Sequence, residues 1–259
     1  MKKLQATRYV SPLKEGGSLP AIVEASDSQL WVAKFRGAGQ GARALVAEWI
    51  CGELARACGF AVPMLARIEL DEAFGRNEPD PEIRDLLRAS HGANLGMAFL
   101  PGALTYDPAA PPAVSETLAS ELVWFDSFVM NVDRSARNPN LLLAGGQLWL
   151  IDHGAALYFH HAWGNAAASS ASPFAAVKQH VLLPRATQLA AAAERLRARL
   201  AAVPLEPLLA ALPDEWLTAA DGPGDAQATR AAYADWLRKR LAASDAFTAE
   251  GDRARNALV

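Results

Sequence analysis

Asn131-Val132-Asp133-Arg134-Ser135-Ala136-Arg137-Asn138-Pro139-Asn140, then Leu141-Leu142-Leu143, Gly145-Gly146-Gln147 and Leu148-Trp149-Leu150-Ile151-Asp152-His153-Gly154, is the stretch that decides the reading of this chain. The apolar run before it, from Ser115 to Met130, predicts a helix with Ser115 as its cap and Glu116 as an early acid. The polar residues that follow read as a loop. Leu141 to Leu143 and Leu148 to Asp152 read as short strands, with a hairpin at Gly145-Gly146-Gln147. Asp133 and Asn138 therefore share a loop, and Asp152 ends a strand. Asp, Asn and Gly populate turns everywhere, so each residue alone says little. The ordered combination is much rarer. Phosphoryl transfer needs such a set: one carboxylate to orient and deprotonate an acceptor hydroxyl, and an amide oxygen with a second carboxylate to hold Mg²⁺ on nucleotide phosphates. Magnesium demands hard oxygen ligands and takes few from protein, so Asn138 and Asp152 suffice as candidates.

Outward from this stretch, the first hundred residues are strand-rich. Thr7 to Val10, Ala21 to Glu24, Leu30 to Phe35, Val62 to Leu70 and Leu95 to Leu100 are β-prone runs. A glycine-punctuated loop, Arg36 to Gly41, leads into a helix over 43–58 that Gly59 ends. Asp80 to Arg88 predicts a small polar helix. From Phe174 onward the pattern is helical almost to the end. Lys34 lies inside the apolar run Leu30-Trp31-Val32-Ala33-Lys34-Phe35, and is the sole lysine between Lys14 and Lys178. Alone it reads as an edge-strand lysine facing water. Beside the Asp133, Asn138 and Asp152 set it reads as a lysine that contacts nucleotide phosphates, held by a carboxylate from the following helix, either Glu48 or Glu53. Gly16-Gly17-Ser18 would offer backbone N–H groups to phosphates where a Cβ would obstruct approach, though a plain hairpin explains it equally. Phe99-Leu100, before Pro101-Gly102, reads as a strand end, or as a hinge whose backbone could take adenine.

Composition excludes several classes. Alanine supplies 55 of the 259 residues, so the 51% hydrophobic content overstates the apolar core. No run approaches the roughly 18 apolar residues of a membrane helix. The basic start, Met1 to Arg8, has no apolar stretch behind it and does not read as a signal peptide. Net charge −3 gives no global pull toward nucleic acid or anionic membrane. Cys51 and Cys58, seven apart in one helical pattern, read as buried thiols. His153, His160 and His161 lack the cysteine or carboxylate company of a metal site. Arg195, Arg197 and Arg199 read as a solvated helix face. The expected location is cytoplasmic.

The Asn131-Val132-Asp133-Arg134 run with Asn138, and Ile151-Asp152-x-Gly154, resemble the HipA-like branch of the protein-kinase-like superfamily. Val32-Ala33-Lys34-Phe35 fits that pattern, as do Glu48-Trp49-Ile50, Leu54-Ala55 and Gly59-x-x-Val62-Pro63. The likeness spans roughly residues 8 to 243. It implies an α+β, bilobal protein-kinase-like fold: a small β-rich N-lobe with one helix (1–100) and a larger, mainly α C-lobe (101–259). It implies ATP and Mg²⁺, Lys34 on the phosphates with Glu48 as its partner, Asp133 as catalytic base, and Asn138 and Asp152 as metal ligands. The acceptor it implies is a Ser or Thr hydroxyl of a protein. Ser18 is the nearest counterpart of a loop serine on which some relatives self-inactivate. The chain departs from the pattern in its short N-terminal part, which puts toxin and antitoxin-like partner roles in doubt, and in Ser135 and His153. The rival readings are a small-molecule kinase resembling aminoglycoside or choline kinases, and a non-catalytic pseudokinase.

Overall fold

The computed structural model describes residues 1–13, 19–109 and 114–258. The fold is mixed α+β. Five strands, β1 (Lys2–Pro12), β2 (Ala21–Ala25), β3 (Leu30–Lys34), β4 (Leu65–Leu70) and β5 (Gly92–Ala98), close into a barrel in the order β1-β2-β3-β5-β4. All neighbours are antiparallel except β1 and β4, which pair in parallel from Lys2↔Ala66 to Gln5↔Glu69. That pairing explains why β1 begins at Lys2, well before the β-prone Thr7 to Val10: polar Lys2 and Lys3 are recruited by a neighbour distant in sequence. β4 begins later than Val62 because Pro63 cannot donate to a ladder.

Strand alternation sorts the barrel's two faces. Val23, Trp31, Ala33, Ile68 and Leu70 pack inside it, with Leu87 of α2 (Pro81–Ala89) against them. Val32 and Lys34, on the opposite face of β3, look toward α1 (Gly41–Ala57). α1 is buried nearly all round, from Leu45 to Gly52, because the barrel covers one side and later helices the other. It approaches β4 so closely that a Cβ on Gly52 would stand 2.6 Å from Leu65 Cδ1.

After β5 the chain turns at Pro101-Gly102 into β6 (Leu104–Thr105), a strand too short to read from sequence. β6 pairs with β7 (Leu141–Ala144), which pairs with β8 (Gln147–Leu150). Gly145 and Gly146 form the tight connection with φ +57° and +74°, which suits a two-residue hairpin. α3 (Glu116–Val129) is capped by Ser115, whose Oγ accepts from Leu118 N. Its Phe125, Phe128 and Val129 sit in one continuous core with Trp49 and Ile50 of α1 and with the C-terminal helices.

Those helices are α4 (Ala166–Ser170), α5 (Leu189–Ala201), α6 (Leu205–Ala210), α7 (Ala226–Ala242) and α8 (Ser244–Asn256), with short 3-10 turns between several of them. The run from Phe174 is thus more interrupted than its composition implies. The arginines of α5 keep part of their surface in solvent, as the sequence suggests, and also make bonds it does not show. Arg195 bonds Glu121, Arg197 bonds Ser244 and Asp245, and Arg199 bonds the Cys58 carbonyl, tying α5 to α3, α8 and α1. No helix among the described residues is long and apolar enough to cross a membrane.

Candidate active site

Lys34 ends β3 and points away from the barrel interior toward α1. Its Nζ donates to Glu48 Oε2 at 2.7 Å and to Asp152 Oδ1 at 2.8 Å, bringing together residues from a strand, a helix and the loop after β8. Glu48 is 1% exposed, whereas the Asp152 side chain is 45% exposed. Burial pushes the Lys34 pKa down, but the carboxylates of Glu48 and Asp152 outweigh it and hold the ammonium above its usual value. Burial likewise pushes Glu48 up, and Lys34 first, with the nearby His153 second, overcomes it to bring the carboxyl down to about 2. Lys34 and Glu48 are therefore both ionised at neutral pH. Glu53, the other candidate partner, pairs instead with Arg56 on its own helix.

The loop of Asp133 and the chain just before Asp152 are joined through Asn140. Ile151 N donates to Asn140 O at 3.1 Å, and Asn140 Nδ2 donates to Asp133 Oδ2 at 3.2 Å. Asn138 Nδ2 also donates to Asp133 Oδ2, at 2.7 Å. These bonds fix the Asp133 carboxylate by one oxygen. Among the described residues no donor reaches Oδ1, so that oxygen is free to accept a proton. Because Asn138 turns its amide nitrogen to Asp133, its amide oxygen is left for another partner. The Asn138 amide oxygen and the Asp152 carboxylate are hard oxygen donors of the kind Mg²⁺ requires, while the described residues hold no cluster of three or more His, Cys, Asp or Glu suited to a metal.

The loop is held from below by residues that the sequence did not single out. Arg134 and Asp126, both wholly buried, bond at 2.5 Å through Nε and Oδ2. His180 Nε2 meets the same Asp126 oxygen at 3.0 Å, and Asn131 Nδ2 donates to Asp126 Oδ1 at 3.1 Å. Arg134 Nη1 also donates to Asn140 O at 2.5 Å. A buried guanidinium thus fastens the loop that carries Asp133 to α3. The D-R pair was visible in sequence, but nothing marked Asp126, inside an apolar helix, or His180, 46 residues after Arg134, as its partners.

Phe99 and Leu100 are half-buried where the barrel gives way to the second sheet; Phe99 N donates to Leu30 O, so the main chain there is still partly laddered. Gly16, Gly17 and Ser18 lie outside the described residues. His160 is buried and bonds Tyr233 Oη at 2.9 Å. Cys51 and Cys58 are both buried.

A cavity of about 560 Å³ opens beside these groups. Val132 and Gly154, neighbours of Asp133 and Asp152, form part of its wall. The start of α1 with the loop before it, Tyr158, His161, and the segment from Glu215 to Asp221 supply most of the rest. That last segment is anchored to the barrel, because Trp216 Nε1 donates to Ala93 O at 3.0 Å and Glu215 pairs with Arg36. Arg43 pairs with Asp221 across the cavity wall.

A mixed α+β chain with a lysine, a helix glutamate and a loop aspartate in one bonded group has the architecture of a kinase. The sequence profile of the HipA-like kinases matches residues 7–249, and the chain belongs to that family. The crystal structure of a Helicobacter pylori proinflammatory kinase, CtkA, is similar with a TM-score of 0.60 and 10% sequence identity, over 100% of this chain and 99% of that one. At that identity the likeness is one of fold. No curated protein sequence matches this chain.

Proposed function

We propose that this kinase transfers the γ-phosphate of Mg-ATP to a Ser or Thr hydroxyl of a protein. The observation that carries the proposal is the double bond-making of Lys34, whose ammonium meets Glu48 and Asp152 at once. Such a lysine is poised to contact nucleotide phosphates, with Glu48 holding it in place. Asn138 and Asp152 would hold Mg²⁺, which neutralises charge on the phosphates. Asp133, fixed through one oxygen, would take the acceptor's proton as the new O–P bond forms and the bond from the γ-phosphorus to the bridging oxygen of ADP breaks. In this reading residues 1–100 and 101–259 act as two lobes, and the backbone of Phe99 and Leu100 takes the adenine at the hinge.

The cavity beside Asp133 favours a protein acceptor over a polycationic small molecule. Its acids, Glu215 and Asp221, are each paired with an arginine, so they do not present free negative charge to an amine-rich ligand. Its wall instead exposes Val132 and Tyr158, two of the larger apolar or aromatic side chains at the surface. The retained Lys34, Asp133, Asn138 and Asp152 speak against a pseudokinase.

The test is incubation of the chain with γ-labelled and, separately, α-labelled ATP, Mg²⁺ and a cell extract. Label from the γ position on phosphoserine or phosphothreonine of a protein supports the proposal. Transfer of the α label instead would mean nucleotidyl transfer, and label on a small molecule would replace the protein acceptor.

A further inference from the structure

His153, between Asp152 and Gly154, is wholly buried, and among the described residues neither of its ring nitrogens has a hydrogen-bond partner. Buried polar atoms are nearly always paired, so a buried ring that no described side chain or backbone group bonds calls for a reason. Its Nδ1 lies 3.7 Å from Glu48 Oε1, beyond hydrogen-bond length. Among the described residues that carboxylate receives one hydrogen bond, from Lys34, and at the other oxygen, Oε2. An unused donor therefore faces an unused acceptor across a gap that a shift of roughly 1 Å, within ordinary thermal displacement, would close.

The reason for the open gap lies in Asp152. In this structure Asp152 shares Lys34 with Glu48, so the lysine has two anchors. If Asp152 turns to a metal held on the nucleotide, Glu48 becomes the one protein carboxylate left on Lys34, bound through a single oxygen and free to swivel. Asp152 and His153 share a peptide unit, and Asp152 sits in the left-handed region at φ +54°, a costly conformation for a non-glycine residue. Rotation there moves the carboxylate and the imidazole together. We propose that His153 is a positioning residue for Lys34: its ring N–H closes on Glu48 Oε1 as Asp152 leaves the lysine, locking Glu48 by both oxygens. A phenyl ring at this position would fill the space but could donate nothing. The inference rests on the Mg-ATP reading given above.

The experiment measures ATP affinity calorimetrically, with and without Mg²⁺, for the full chain and for His153→Phe, His153→Asn and Lys34→Ala. His153→Phe is expected to weaken Mg-ATP binding by about tenfold, the scale of one charge-assisted hydrogen bond, while changing metal-free ATP binding by less than about twofold. His153→Asn, whose amide nitrogen can stand near the place of Nδ1, is expected to stay within about twofold of the unmutated chain in both. Equal weakening by Asn and Phe, or unweakened Mg-ATP binding in His153→Phe, overturns the inference. If Lys34→Ala weakens binding and His153→Phe does not, the inference alone fails; if neither does, the nucleotide reading itself fails. Should His153→Phe not fold, the unmutated chain decides through the ¹⁵N spectrum of its imidazoles. A hydrogen-bonded His153 N–H that arises on adding Mg²⁺ and a non-hydrolysable ATP analogue supports the lock, and an unchanged His153 signal overturns it.

Discussion

Arg134 Nε stands 2.5 Å from Asp126 Oδ2, and both side chains are wholly buried. This contact connects the loop of Asp133 to the helix beneath it. Removing one member strands a charge in the dry interior, which costs about 3–5 kcal/mol. Asp126→Ala should lose stability of that order in denaturant unfolding, and Arg134→Met should lose less, because it leaves a carboxylate still bonded by His180 and Asn131. Equal stability of Asp126→Ala and the unmutated chain would mean the pair does not anchor the loop.

Acid should destabilise the chain in two stages. His160 is driven down to about 3, chiefly by burial, from an ordinary 6.5. The unfolded chain therefore binds a proton that the folded chain refuses, and stability falls as pH drops below about 6.5. Glu48, lowered to about 2 from 4.5, contributes stability that is complete above its unfolded value and is lost as pH falls from there toward the folded one. Asp126 acts in the same direction, since burial would raise its pKa but Arg134 and His180 hold it well below the usual carboxylate range. Denaturant unfolding at pH values from about 8 to 4 checks this; a chain as stable at pH 5 as at pH 8 contradicts it.

Much of this arrangement was legible in the residues, for physical reasons that also mark where legibility ended. The glycine hairpin and the ends of α3 were readable because turns and caps are local chemistry. Lys34 stood out because a lysine in an apolar run needs an explanation. The parallel pairing of polar Lys2 and Lys3 with β4, and the two-residue β6, were not readable, since tertiary partners create them. Nor was the burial of Glu48. Tertiary packing creates it: α1 is covered on both sides, and Glu48 is sealed within.

That burial changes what a lysine substitution should do. Lys34→Met is expected to weaken nucleotide binding and also to destabilise the fold by about 3–5 kcal/mol, because Glu48 is left charged and unpartnered in the interior. Lys34→Met with Glu48→Leu should recover most of the stability and none of the binding. Thermal and calorimetric measurements on both variants separate the two effects, and a single variant as stable as the unmutated chain would show that Glu48 tolerates isolation.

Tyr158 tests the acceptor side. It is 60% exposed in the wall of the cavity, which neither Lys34 nor Glu48 lines. Tyr158→Ala should raise KM for the phosphorylated protein by roughly tenfold while leaving KM for ATP and the folding stability unchanged, since an exposed truncation removes little core packing. A change confined to ATP would place the cavity on the nucleotide side.

The most direct measurement compares Asp133→Ala with Asp152→Ala, recording ATP affinity with and without Mg²⁺ together with phosphate transfer. Asp152 is the exposed carboxylate on Lys34, so its loss should abolish the magnesium-dependent part of ATP binding. Among the described residues Asp133 is bonded only within its own loop, so its loss should leave Mg-ATP binding largely intact and slow transfer by roughly 10²–10⁴-fold, the worth of a positioned general base. Equal loss of Mg-ATP binding in both variants, or undiminished transfer by Asp133→Ala, would contradict the account.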